Sequence, residues 1–366
     1  MHTSRRQWLR QSSLTLAGLG IGADLFASIE KPFSPGSKPI LLNSNENAYG
    51  PSPMARKAIM EVYIHSNRYP DDYLEGLKKK IADQWKVSAD NILLGAGSSE
   101  IIGLACLENS RKQGHVLVGD PAYQVWNRQA ESFGLTFNRV PLNKEKVHDL
   151  DKMLSSITNE TNMVYICNPN NPTGTVNDIN ELKNFTEEAA KKTFVFIDEA
   201  YTEYANLPSL ADMAVKNKNI LVAKTFSKIY GLAGARIGYA IAHPDMVNTL
   251  AQHQPWQDAA ISVVSAAAAS ASLEDTTFVQ QCKENAAKAR EICYHTFNQL
   301  NLDYIPSQTN FILFNIDTIQ KDFVKEMQAQ NIYVQFRPHF GGKWSRVSMG
   351  TVEEMKQFCD VLKSIA

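Results

Sequence analysis

Ile220-Leu221-Val222-Ala223-Lys224-Thr225-Phe226-Ser227-Lys228 is an apolar strand that runs into a polar turn. It belongs to a series. Working back, Phe194-Val195-Phe196-Ile197 precedes Asp198-Glu199, and Met163-Val164-Tyr165-Ile166-Cys167 precedes Asn168-Pro169. Val116-Leu117-Val118 precedes Gly119-Asp120-Pro121, and Ile92-Leu93-Leu94 precedes Gly95-Ala96-Gly97-Ser98-Ser99. Helical patterns, such as residues 180–192, lie between some of these runs. Short continuous apolar runs alternating with helices predict an α/β fold with a mostly parallel sheet. In such sheets ligands collect beyond the strand C-termini, and here every run ends in polar residues.

Working forward, the pattern changes near Pro255. An Ala/Ser-rich stretch covers 259–273, and a long charged helix is expected over 278–300. Short strands are expected over 310–315, 332–337 and 346–350, before a final helix from Glu353. This predicts a large domain over residues 50–254 and a smaller α+β domain over 255–366, preceded by an arm over 30–49.

The first 29 residues read differently. Ser4-Arg5-Arg6-Gln7-Trp8-Leu9-Arg10 is followed by a Gly/Ala-rich apolar stretch, residues 14–27, without a basic residue. That order predicts a twin-arginine secretion signal, with a weak cleavage site at Phe26-Ala27-Ser28, and hence export, to the periplasm. The competing reading is an amphipathic N-terminal helix of the mature fold, with the protein cytoplasmic. The apolar stretch is too short for a confident membrane span.

Composition narrows the partners. The 366 residues carry 37 basic and 38 acidic side chains, for a net charge of −1. That balance provides no global field for nucleic acid or anionic membrane. Five scattered cysteines, without a C-x-x-C pair, predict buried thiols rather than a metal site or a disulfide framework.

The turns after the strands carry the chemistry. Lys228 follows an apolar strand and precedes a Gly/Ala-rich run with Arg236 in Gly234-Ala235-Arg236-Ile237-Gly238. A surface lysine is the plain alternative. Asp198 ends its strand, with Tyr201 three residues on; a helix N-cap is the competing role. Asn168-Pro169-Asn170-Asn171-Pro172-Thr173-Gly174 is too proline-rich for a helix and presents Asn171, or is only a turn. The N–H groups of 95–100, at a helix start, can cradle a phosphate. Tyr123 can stack on a ring or simply fill the core. Lysine, carboxylate, phosphate cradle and oriented donors are the parts pyridoxal phosphate (PLP) requires. Lys228 would hold its aldehyde as a Schiff base, Asp198 its ring nitrogen, Tyr201 and Asn171 its 3′-oxygen, and Arg236 its phosphate.

Together these motifs resemble the fold-type I aminotransferases, and within them the histidinol-phosphate aminotransferase family. The likeness runs from about Leu41 to the C-terminus. Asn171-Pro172-Thr173-Gly174, Asp198-Glu199-Ala200-Tyr201 and Ser227-Lys228 through Arg236 form a highly specific ordered set. Leu42-Asn43-Ser44-Asn45-Glu46-Asn47 with Tyr49, and Arg68-Tyr69-Pro70-Asp71, point to the histidinol-phosphate branch.

The resemblance implies an aspartate-aminotransferase-like fold and a ping-pong transamination between an amino acid and a 2-oxo acid. It adds Ser98, Ser99 and Ser227 to the phosphate site. It implies a homodimer in which Tyr69 reaches the partner's cofactor phosphate. It gives Arg346 and Arg337 the substrate's anionic end, and puts Asn47 and Tyr49 among the substrate-binding residues. Two departures stand out: Ala48 replaces a common proline, and the segment between Arg337 and Arg346, which borders the substrate side, is short and carries His339, Lys343 and Trp344. A decarboxylase or lyase of the same fold, similar to threonine-phosphate decarboxylases, would carry the same cofactor site. A non-catalytic PLP-fold binding module is opposed by the intact Lys228, Asp198 and Arg236.

Overall fold

The computed structural model describes residues 38–366. The secretion-signal reading, with its Arg5-Arg6 pair, falls outside the described residues. Thirteen described strands follow in chain order: β1 (Ile40–Leu41), β2 (Ile92–Gly95), β3 (His115–Asp120), β4 (Thr136–Pro141), β5 (Thr161–Cys167), β6 (Phe194–Asp198), β7 (Ile220–Thr225), β8 (Gly238–Ala242), β9 (Tyr304–Ile305), β10 (Phe311–Asn315), β11 (Ile332–Tyr333), β12 (Gln335–His339) and β13 (Gly342–Ser348).

Seven of them form the main sheet, in the order β2-β8-β7-β6-β5-β3-β4. The run from β4 to β7 is parallel; β8 alone is antiparallel to both its neighbours. The reason lies in the strand sequences. Both faces are covered, so residues of either parity must be apolar. In β5, Val164 and Ile166 join one core, while Met163, Tyr165 and Cys167 join the core on the other face. The sequence pattern missed β8, whose start is hidden in a Gly/Ala-rich run, and β4, an edge strand with little apolar character.

A four-stranded antiparallel sheet, β12-β13-β10-β9, carries a third core with Phe297, Phe314 and Phe358. The stretch expected as one strand over 332–337 is two, because the chain leaves β11 at Val334 and β12 joins a different sheet. β11 pairs with β1 instead. The expected break after residue 254 is also drawn differently by packing. Helix Val263–Glu274 buries Ala266, Ala268 and Ala269 in the first core, together with the main sheet. The arm residues Ile40 and Leu42 join the third core.

β12 and β13 are joined by the two-residue turn Phe340-Gly341. Both residues have positive φ, 49° and 77°, as a type I′ hairpin requires.

Asp198 ends β6 and Glu199 follows it, and the two face opposite sides of the sheet. Asp198 shares a face with Tyr165 and Phe196. Glu199 turns to the other face, where it meets Lys224 Nζ at 3.2 Å. Glu203 completes the cluster at 3.0 Å, and Thr202 Oγ1 accepts from the same ammonium at 2.6 Å. Burial pushes Lys224 toward the neutral form, but Glu203 and Glu199 more than reverse it, so the net shift is upward. Removing the lysine would leave two carboxylates without their cation. Lys224→Ala is therefore expected to destabilise the fold by about 3–5 kcal/mol, read from urea unfolding at neutral pH.

Candidate active site

The C-terminal ends of β2, β3, β5, β6 and β7 open on a cavity of about 710 Å³. Its walls are completed by the arm residues Ser44, Asn45 and Glu46 and by β12 and β13. The antiparallel β8 brings its N-terminal end to the same edge, which places Arg236 there.

One end is built for an anion. Ser98 and Ser99 open helix Ser98–Asn109, where free N–H groups carry partial positive charge. Arg236 sits beside it with a left-handed backbone, φ 51°. Its guanidinium donates to Ala233 O at 2.8 Å, Ala96 O at 3.2 Å and Ser227 Oγ at 3.5 Å. No carboxylate pairs with it among the described residues. Gly97 (φ 75°) has to be glycine, since a Cβ there would overlap the Arg236 guanidinium.

Tyr123 and Asp198 both line the cavity. Asp198 is buried, and burial raises its pKa, opposed by Tyr165 and the Ala200 N–H. Tyr165 donates to Oδ2 at 2.7 Å, and Ala200 N–H to Oδ1 at 3.1 Å. Tyr165 escaped the sequence reading. Its signal was parity: it stands opposite Phe196 in the β5–β6 register, on the same face as Asp198.

Lys228 lies on the floor, its exposure confined to the cavity. Nζ reaches Ser44 O at 3.4 Å and lies 5.6 Å from the Tyr201 ring centroid. Burial, and then the charge of Arg346, lowers its pKa to about 8.

Arg346 closes the far side. Nη1 donates to Asn171 Oδ1 at 2.6 Å and Nη2 to Asn43 O at 3.1 Å, with the guanidinium carbon 5.6 Å from the Phe311 ring centroid. All three partners are neutral. Its Nε is buried without a hydrogen-bond partner. Because Asn171 accepts through its oxygen, its NH₂ stays free to donate elsewhere. Gln335, Arg337 and His339, alternate residues of β12, line the mouth together. Burial, then Arg337, lowers the His339 pKa.

Most sequence-predicted residues meet here: Ser98, Ser99, Tyr123, Asn171, Asp198, Tyr201, Ser227, Lys228, Arg236, Arg337 and Arg346 all line the cavity. Three do not. Asn47 turns away to donate to Ile229 O at 2.7 Å and Cys282 Sγ at 3.2 Å. Tyr49 follows it, half-buried outside the lining. The arm lines the cavity with residues 44–46 instead, and the Asn47 side chain is taken up by Ile229, Cys282 and the Tyr49 N–H. Tyr69 is 78% exposed, edge-on to Trp256, and lies outside this cavity.

The group these residues fit is PLP. A reactive lysine, a buried carboxylate with spare lone pairs, an unpaired guanidinium at a helix N-terminus and a glycine-cleared cradle match its aldehyde, ring nitrogen and phosphate.

Comparison with known proteins agrees. The family model "Aminotransferase class I and II" matches residues 37–362. The histidinol-phosphate aminotransferase of Halalkalibacterium halodurans is 34% identical over 320 residues, 86% of each chain. That of Akkermansia muciniphila is 34% identical over 328 residues, 89% of this chain and 90% of its own. A structure from Erwinia carotovora atroseptica, assigned as a histidinol-phosphate aminotransferase, superposes with a TM-score of 0.84 at 30% identity, covering 89% of this chain and 95% of that one. The Sinorhizobium meliloti histidinol-phosphate aminotransferase in complex with pyridoxal-5′-phosphate also has a TM-score of 0.84, at 24% identity, covering 96% of this chain and 100% of that one; it supports the fold.

Only neutral Lys228 can attack an aldehyde. Uptake of PLP by the cofactor-free protein should therefore accelerate as pH rises through about 8. Arg346→Gln removes a charge that holds this pKa down, so the midpoint should move to higher pH. Stopped-flow absorbance of the visible band checks both; an unmoved midpoint would refute the electrostatic link between Arg346 and Lys228.

Proposed function

The chain belongs to the class I and II aminotransferases, within their histidinol-phosphate aminotransferase family, and from that premise we propose how its residues divide the work of PLP-dependent transamination. When bound, PLP supplies an aldehyde for amines and a ring that withdraws electrons from the substrate's Cα. Lys228 would hold that aldehyde, and as a free amine it would be the group placed to move a proton at the substrate's Cα. Its lowered pKa keeps a useful neutral fraction near neutrality. Asp198 holds the proton on the ring nitrogen, fixed in place by Tyr165 and the Ala200 N–H. Tyr201 and Asn171 donate to the ring oxygen, and Tyr123 packs against the ring face. Ser98, Ser99, Ser227 and Arg236 bind the phosphate.

Arg346 carries the substrate reading. It is a mostly buried cation facing Lys228, with neutral partners and an unpaired Nε, so a substrate anion is its natural counter-charge. A carboxylate or phosphate fits its fork. Arg337, at the mouth, offers a second charge to the substrate's other end. The substrates are thus an amino compound with a carboxylate or phosphate and a 2-oxo acid acceptor. Histidinol phosphate is the first candidate donor, on the strength of the relatives. Arg346→Ala should lower kcat/KM by ~10²-fold or more, and Arg346→Lys should recover only part of it, because two charge-assisted bonds are involved. A panel of amino donors, followed through loss of the visible band, identifies the substrate. Release of carbon dioxide in place of amino transfer would replace this reading with the decarboxylase one.

The assembly follows from Tyr69. It stands outside its own cavity, in contact with Trp256, close in sequence to the exposed Tyr63 and Ile64. We assign this apolar surface to a second copy of the chain, with Tyr69 completing the partner's phosphate site. Lys228→Ala and Tyr69→Ala proteins should then regain partial activity when refolded together, since a hybrid dimer holds one complete site. Absence of any regain would remove Tyr69 from a shared site.

A further inference from the structure

Ser348, Asn45 and Tyr201 form a chain of hydrogen bonds that enters the cavity from its C-terminal wall. Ser348 Oγ accepts from the Asn45 backbone N–H at 2.7 Å. It also lies 3.2 Å from Asn45 Oδ1. Asn45 Nδ2 lies 3.0 Å from Tyr201 Oη. All three residues are buried.

The direction of this chain is determined. Ser348 Oγ has one proton to donate, and among the described residues its partner is Asn45 Oδ1. Were the Asn45 amide reversed, its NH₂ would face the serine, and the buried serine proton would be left without an acceptor. The amide oxygen therefore faces Ser348 and the NH₂ faces Tyr201. Tyr201 Oη accepts, so its own proton is free to point into the cavity. The backbone locks the arrangement from both sides: Asn310 Nδ2 donates to Asn45 O at 3.1 Å, and Asn45 adopts the left-handed conformation that Asn tolerates better than most residues. Burial keeps the Tyr201 hydroxyl protonated.

We infer that Ser348 and Asn45 are positioning residues that make the Tyr201 hydroxyl an obligate donor to the cofactor's ring oxygen. The inference rests on the proposed contact of Tyr201 with that oxygen. It also reveals a shared origin for both ring-oxygen donors. Arg346 and Ser348 are alternate residues of β13, on one face of the strand. Arg346 orients Asn171, and Ser348 orients Tyr201 through Asn45. The strand that carries the substrate-binding arginine also fixes the polarity of both donors.

Asn45→Asp tests this by reversing one bond in an almost unchanged shape. The carboxylate still accepts from Ser348, but it can only accept from Tyr201, which must then turn its proton away from the ring. A donor at the ring oxygen stabilises the oxygen's anion and holds down the pH at which the visible band of the bound cofactor changes. In the PLP-loaded enzyme, Tyr201→Phe should raise that midpoint by about one pH unit or more. Asn45→Asp should raise it comparably. The double variant should rise no further than Tyr201→Phe alone, because the effect runs through the hydroxyl. If Tyr201→Phe leaves the midpoint unmoved, the proposed ring contact itself is wrong. If it moves the midpoint while Asn45→Asp does not, the positioning role is wrong. Addition of the two shifts in the double variant would reduce Asn45→Asp to a bare charge effect and also overturn the inference. Ser348→Ala, with folding checked by thermal melting, should shift the midpoint in the same direction; no shift in a folded protein counts against the chain.

Discussion

β6 ends in Asp198 with Glu199 directly after it, and along an extended chain adjacent side chains turn to opposite faces. Both faces of this sheet are buried, so each acid needs its own solution. Glu199 meets Lys224 and shares it with Glu203. Among the described residues the Asp198 carboxylate receives the Tyr165 hydroxyl and one backbone N–H. One side of the sheet thus holds two carboxylates bridged by one ammonium, and the other holds a carboxylate with accepting capacity to spare. That asymmetry makes Asp198 available to a ring nitrogen, and it depends on strand parity before any ligand is considered.

Around Asp198 the site is assembled from elements of different origin. The parallel strands deliver Ser98, Tyr123, Asn171 and Lys228 to one edge, and β8 adds Arg236 because it runs the other way. The C-terminal sheet supplies Arg346 and the arm supplies Asn45. The cationic groups sit at the two ends, Arg236 at the helix N-terminus and Arg346 opposite, with Lys228 between them. Each guanidinium is held by carbonyl and amide oxygens, which orient it without cancelling its charge.

The large domain was legible because its signals are local. Lys228 and Asp198 each follow an apolar run, and the rule that ligands gather at strand C-termini points straight at them. Residues whose role depends on long-range packing were not. Asn45 and Asn47 stand two apart in one arm, and nothing local says which one faces inward; their long-range partners, Tyr201 and Ser348 for one and Ile229 and Cys282 for the other, separate them. Tyr165 looked like one more aromatic in a buried strand until the β5–β6 register put it on the Asp198 face. Gln335 was hidden because β11 and β12 read as one strand, although they join different sheets; His339 was legible, since it falls in the segment after Arg337 that borders the substrate side. The Ala-rich helix 263–274 has no pattern that names its neighbour, which is why its place in the first core became visible only in three dimensions.

The tight turn at Phe340-Gly341 bears on the mouth of the cavity. β12 aims Gln335, Arg337 and His339 at the cavity through its pleat, and its register against β13 is pinned by a two-residue loop. A slip of β12 by a single position would turn all three side chains outward at once. Point substitutions at 335, 337 and 339 leave the hairpin intact. The hairpin thus separates two properties of the mouth: the register sets where the three side chains point, and their identities set what chemistry they offer there.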